Sequence, residues 1–191
     1  MGGLFDDRPG EDGLPQDAAA FHRIGHRAIW SDDKRHRFIL WRDWGPQPLR
    51  NFVQIIGLNP STADETENDP TLRRVITFAK RMGYGGLVMT NLFSYRSTDP
   101  EALYDLPDAD LLPPANDEFL RDVARYARRV IAAWGTHGNY KGRGEQVAEM
   151  LANDGVPLLC LGNDKDQGRN KDRTPKHPLY LPGDAELWPY P

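Results

Sequence analysis

Apolar and polar positions fall in blocks along the chain, and the blocks change character near residue 52. Ahead of it, two aromatic-rich runs, His26–Trp30 and Arg37–Trp41, flank the polar segment Ser31–His36. Such a pair predicts a β-hairpin. Gly45-Pro46-Gln47-Pro48 then interrupts the pattern. From Phe52 onward, short apolar runs alternate with helical periodicity. Phe52–Gly57 reads as a first strand. Asp69-Pro70 opens a helix, because Asp caps a first turn and Pro fits the first helical position. Leu72, Val75, Ile76, Ala79 and Met82 recur at helical spacing up to a stop at Gly83. Leu87–Thr90 is a second strand. The segment from Asp99 to Pro114, with Pro100, Pro107, Pro113 and Pro114, reads as a long loop. Asn116 or Asp117 is expected to cap a helix with Leu120, Val123, Ala127 and Val130 on one face. Val130–Trp134 is a third strand. Val147, Met150 and Leu151 mark a helix closed by Gly155, and Val156–Leu161 is a fourth strand.

Strands separated by single amphipathic helices imply right-handed crossovers and a parallel sheet. The expected fold is therefore α/β: three layers around a central four-stranded parallel sheet, with the N-terminal β-hairpin added. Residues 21–191 form one domain behind a Gly-, Pro- and Asp-rich tail, 1–20, read as flexible. The unusual polar segments all follow strand ends: Asn59-Pro60-Ser61, Asn91–Arg96, Trp134–Tyr140 and Gly162–His177. Ligands bind at that edge of an open α/β sheet, so four such loops point to one site.

Composition narrows the classes. A chain of 191 residues with 39% hydrophobic content suits one core. A net charge of −4 argues against a uniformly basic nucleic-acid coat, while leaving local basic clusters open. The single cysteine, Cys160, sits in an apolar strand and permits neither an internal disulfide nor Cys/His zinc spacing. No basic-then-apolar leader and no bilayer-length apolar run is apparent, so a cytoplasmic protein without a membrane partner is expected. No cofactor and no metal are expected.

The candidate chemistry follows from residue types at the strand ends. Asn59 carries both a donor and an acceptor and can orient a water or read a planar amide. Asp64 is the acid nearest to it and a candidate general base; Glu65, Glu67 and Asp69 read as solvated acids before a helix N-terminus. In Asn91–Thr98, Tyr95 beside Arg96 offers a ring and a planar cation suited to a nucleotide, with a strand-end loop and an ordinary salt bridge the plainer alternative; Asn91 is a candidate binding residue. Trp134 and His137 lie in a Gly-rich strand end that lacks Walker spacing. Arg73, Arg74, Arg169, Lys171, Arg173 and Lys176 are candidate phosphate contacts, with a solvated surface the plainer alternative. His177-Pro178-Leu179-Tyr180 ends the basic loop with an apolar wedge.

Gly57-Leu58-Asn59-Pro60-Ser61, Asp69-Pro70-Thr71, Asn91-Leu92-Phe93, Ala133-Trp134-Gly135 and His177-Pro178-Leu179-Tyr180 together resemble the bacterial and phage family called domain of unknown function 1643. That resemblance runs from the hairpin onward and implies no established activity. More distantly, the order of landmarks resembles the uracil-DNA glycosylase superfamily. Gly57–Ser61 is similar to its Gly-x-Asn-Pro-Gly motif, Leu87–Arg96 to its second strand, Ala132–Lys141 to its Trp-Gly-Ser strand, and His177-Pro178-Leu179 to its His-Pro-Ser motif. Ser61 stands where the first motif has glycine, and Leu179 where the last has serine. The superfamily's base-reading Asn, on the helix after the first motif, has no clear counterpart.

This second resemblance implies that Asn59 positions the attacking water and that His177 stabilises the departing base. Leu179 and Tyr180 would push into the duplex while the base is flipped out. Gly57, Leu58, Pro60, Ser61 and Pro178 would shape the base pocket with Asn91, Tyr95, Arg96, Trp134 and His137. It also implies a partner: nucleic acid, with DNA ahead of RNA, or a nucleotide. Three alternatives remain: an enzyme on a free nucleoside or nucleotide, a non-catalytic nucleic-acid-binding module, and a non-nucleotide use of the cleft. Asn59 and His177 are expected to face one cleft. Whether the protein is an enzyme, and its oligomeric state, are not read from the sequence.

Overall fold

The computed structural model describes residues 28–45 and 51–191. The expected 1–20 tail, the first residues of the hairpin run and the Pro46–Pro48 break lie outside the described residues. Among the described residues, seven strands form one mixed sheet in the order β1-β2-β4-β3-β5-β6-β7. They are β1 (Ala28–Trp30), β2 (Arg37–Asp43), β3 (Phe52–Gly57), β4 (Gly86–Asn91), β5 (Val130–Ala132), β6 (Leu158–Gly162) and β7 (Glu186–Pro189). The four central strands, β4, β3, β5 and β6, run parallel. The sheet is larger than the four strands expected, because both flanks add antiparallel strands. The hairpin β1–β2 joins through β2 against β4, and β7 pairs with β6. β7 was not anticipated in the proline-rich tail. An edge strand tolerates Pro189, since its outer groups need no ladder partner.

Four α-helices occur among the described residues: α1 (Pro70–Arg81), α2 (Asp108–Leu111), α3 (Pro114–Tyr126) and α4 (Arg143–Asn153). Helix α1 starts as its sequence dictates. The Asp69 carboxylate accepts the Leu72 N–H at 2.7 Å, and Pro70 occupies the first turn. Its apolar stripe, Leu72, Val75, Phe78 and Ala79, packs on Val53, Ile55, Leu87 and Ile131. Helices α3 and α4 cover the opposite face, where Leu120, Ala124, Val147 and Leu151 meet Ile56, Val130 and Ala132. Neighbouring Ile55 and Ile56 thus enter different cores, as the two-residue period of a strand requires.

Two local expectations change. The loop from Asp99 to Pro114 contains a 3-10 turn, Pro100–Asp105, and the short α2. Neither Asn116 nor Asp117 caps α3, which begins two residues earlier at Pro114. Asn116 is instead buried, and its Nδ2 donates to the carbonyls of Asn91 (3.1 Å) and Leu92 (3.0 Å). It braces the end of β4. No helix among the described residues is long and apolar enough to cross a membrane.

The topology sets where a ligand can sit. From β3 the chain crosses through α1 to β4 on one side, then returns through α3 to β5 on the other. The connections leaving β3 and β5 therefore diverge to opposite faces, and a crevice opens between the carboxyl ends of those two strands.

Candidate functional site

A cleft of about 320 Å³ occupies that crevice, near the lower end of the roughly 300–1,000 Å³ range of small-molecule sites. Gly57, Leu58 and Asn59 line it from the end of β3, Asn91 from β4, and Trp134, Gly135, Thr136 and His137 from the segment after β5. His177 and Tyr180 arrive from the late loop, and Asp69, Thr71 and Leu72 from the start of α1. Asn59 and His177 therefore share one cleft.

Asn91 is the most informative residue of the site. Its side chain is 1% exposed, yet neither Oδ1 nor Nδ2 has a hydrogen-bond partner. A buried amide left unsatisfied costs about 1–3 kcal/mol, so native proteins rarely retain one without use. Its backbone is held from below by Asn116, and Arg143 Nε donates to the adjacent Leu92 carbonyl at 3.1 Å. Its access to the cleft depends on Gly57, its register partner on β3. A Cβ at residue 57 would lie 2.8 Å from Asn91 Oδ1 and 2.6 Å from Met89 Cε. Glycine is needed there for space.

Asn59 is oriented by the opposite wall. Its Nδ2 donates to the carbonyls of Ser97 (2.8 Å) and Pro60 (3.1 Å). Both side-chain donors are thereby engaged, and the amide oxygen is left as an acceptor. His177 makes the complementary arrangement. Its Nδ1 accepts from the Leu179 N–H at 3.4 Å, which leaves Nε2 as the N–H donor of the neutral ring. Burial holds the His177 pKa below its ordinary value of 6.5, opposed by the Asp69 charge, so the neutral form dominates at pH 7. Gly135 adopts φ 71°, and a Cβ there would meet the His177 Cβ at 3.4 Å. A side chain at residue 135 would strain that turn.

The remaining sequence candidates divide cleanly. Ser61, Leu58, Trp134, His137 and Tyr180 line the cleft. Tyr180, 85% exposed, stands at its mouth. His137 Nδ1 lies 2.6 Å from the Tyr104 hydroxyl. Pro60 and Pro178 are buried supports, Leu179 is half-exposed, and none of the three lines the cleft. Tyr95 packs edge-on against His36, and Arg96 Nε donates to the Ser61 carbonyl from outside the lining.

Asp64 does not line the cleft. Its carboxylate accepts the N–H groups of Thr66 (2.9 Å) and Glu67 (2.7 Å), an Asx turn that holds its pKa below the ordinary carboxylate value. The basic candidates also stand apart from the lining. Arg74 donates to the Leu181 carbonyl, Lys176 pairs with Asp166, and Arg169 donates to Gln167 Oε1. Arg73, Lys171 and Arg173 are exposed.

Asp69, read as a solvated cap, both caps α1 and lines the cleft. Arg37 was missed altogether. It is 3% exposed, lines the cleft and lies over the Trp30 ring at 5.8 Å. Burial drives its pKa down to about 10, against the attraction of Asp69. The one sequence signal was a long cation opening an apolar strand, Arg37-Phe38-Ile39-Leu40-Trp41.

Fold and site together define an open-sheet α/β protein whose candidate ligand cleft sits at the topological switch point. Residues 37–179 match the family described as protein of unknown function (DUF1643), and the chain belongs to that family. No curated protein and no solved structure matches it.

Proposed function

We propose that this cleft binds a nucleobase, and that Asn59 and His177 serve hydrolysis of its N-glycosidic bond. The single observation that carries the reading is the unpartnered Asn91 amide at the cleft floor. A carboxamide that offers one donor edge and one acceptor edge complements the amide-like edge of a base. The order of strand-end motifs, which resembles that of uracil-DNA glycosylases, supports the same reading. So does the cleft's size, which suits one base.

The chemistry follows from the free atoms. A water held by the Asn59 oxygen attacks the anomeric carbon. The carbon–nitrogen bond breaks and its electron pair leaves on the base. The His177 Nε2–H donates a hydrogen bond to that developing anion, and the proton released from the water is taken up by solvent or by the departed base. Fixed dipoles at the oxocarbenium-like centre and at the leaving group supply the rate. Neutral His177, with Nδ1 accepting from Leu179, still carries the Nε2–H that this hydrogen bond needs.

The test is base release from a panel of oligonucleotides and nucleosides carrying damaged or modified bases. Wild type should release at least one base, and Asn59→Ala should lower the rate by about 10²-fold or more, the scale of losing one positioned group, while leaving binding intact. If wild type releases none but binds, the non-catalytic module is the correct reading.

A further inference from the structure

We propose that Arg37 is the phosphate-binding residue of this cleft, so that the occupant is a nucleotide unit carrying a phosphate ester. The proposal rests on the nucleobase reading for the identity of the occupant, though the anion subsite stands on its own geometry.

Two buried arginines leave the same strand and make an internal comparison. All three nitrogens of Arg42 donate. Its Nε donates to Asn68 Oδ1 at 2.8 Å, its NH1 to the Trp41 carbonyl at 2.9 Å, and its NH2 to the carbonyls of Asp64 and Glu67. That guanidinium holds the 64–68 loop and does not line the cleft. Arg37 differs on each point. Among the described residues its guanidinium makes one hydrogen bond, from NH1 to the Ala63 carbonyl, and its buried Nε has no partner. No carboxylate among the described residues forms an ion pair with it. A guanidinium carries five N–H donors in a planar fork, and a buried cation normally has an anion beside it.

The surroundings suit phosphate. Helix α1, twelve residues long, opens onto the same cleft and brings the positive end of its dipole. Asp69 lines the same cleft and its charge attracts Arg37 without forming an ion pair, while its Oδ1 accepts the Leu72 N–H. Ser61, Thr71 and Thr98 add hydroxyls to the lining. The arginine fork matches two phosphate oxygens. Asn91 and Arg37 in one cleft thus present an amide edge for a base and a cation for its phosphate.

The experiment titrates four probes into wild type and Arg37→Gln: a nucleoside, its 5′-monophosphate, a dinucleotide and inorganic phosphate. Wild type should bind a phosphate-bearing base at least about tenfold more tightly than the nucleoside, and R37Q should erase that preference while still binding the nucleoside. The stronger of monophosphate and dinucleotide identifies a free nucleotide or a strand as the source. Arg37→Lys, which keeps the charge and loses the fork, should retain part of the preference. If R37Q does not fold, wild type and R37K decide the matter. Equal wild-type affinity for nucleoside and nucleotide, or an R37Q protein that keeps the preference, overturns the proposal. If no base-bearing probe binds, but inorganic phosphate raises the Tm of wild type and not of R37Q, the anion subsite holds and the nucleobase reading fails.

Discussion

The Asn91 side chain combines burial with two unmet hydrogen-bonding atoms, and this makes stability and function separable. Replacing an unsatisfied amide by an apolar group of similar volume removes a penalty. Asn91→Leu is expected to hold or raise stability, by up to about 1 kcal/mol in urea unfolding, while abolishing ligand binding. Gly57→Ala should lower stability and impair binding together. The added methyl meets Asn91 Oδ1 and Met89 Cε, and overpacking of this kind costs about 1–3 kcal/mol, read as a lowered urea midpoint. The histidines set a pH dependence. Burial lowers the folded pKa of His177 and of His36 below 6.5, so the unfolded chain binds more protons in the window just under that value. Stability therefore rises with pH up to about 6.5 and is lost as pH falls below it, with a slope of at most about 1.4 kcal/mol per pH unit for each group. His177→Gln should flatten the Tm profile between pH 7 and pH 5. Asn59, Asn91 and His177 were legible as polar residues at strand ends. The unmet hydrogen bonds of Asn91 were not, because they belong to the assembled cleft.

Helix α1 shows how one element can be read correctly and still be underestimated. Its cap, first-turn proline and apolar stripe follow from local sequence. That its first turn also lines a cleft follows only from the crossover to β4. Asp69→Ala should cost about 1 kcal/mol through the lost cap, and Asp69→Asn, which still accepts from Leu72, should recover most of it in the same unfolding measurement. Asn116 shows the opposite error. A polar residue near a helix start looks like a cap, yet its partners are the carbonyls of Asn91 and Leu92, 25 and 24 residues earlier. Such a brace leaves no local pattern. The strand β7 was hidden by Pro189, and the antiparallel pairing of Leu187 with Leu161 and Trp188 with Cys160 is long-range.

At the scale of the whole molecule, the alternation of strand and helix was enough to predict the parallel core and the edge that carries the loops. It was not enough to place the hairpin. Pairing of Leu40 with Met89 and Trp41 with Val88 makes β2 an interior strand, and the bond from the Arg37 N–H to the Ser94 carbonyl carries its first residue alongside the loop after β4. The first residue of the second hairpin run thereby becomes a buried cation at the cleft. The switch point between β3 and β5 then gathers a free amide, an oriented acceptor, a neutral histidine donor and that arginine into one space. The proposed role of this space is to recognise a nucleobase through Asn91. Calorimetric titration of a panel of nucleosides and nucleotides into wild type and Asn91→Leu tests it most directly. Wild type is expected to bind at least one base saturably, and a folded N91L protein none. Undiminished binding by N91L, or no binding of any base to wild type, would contradict it.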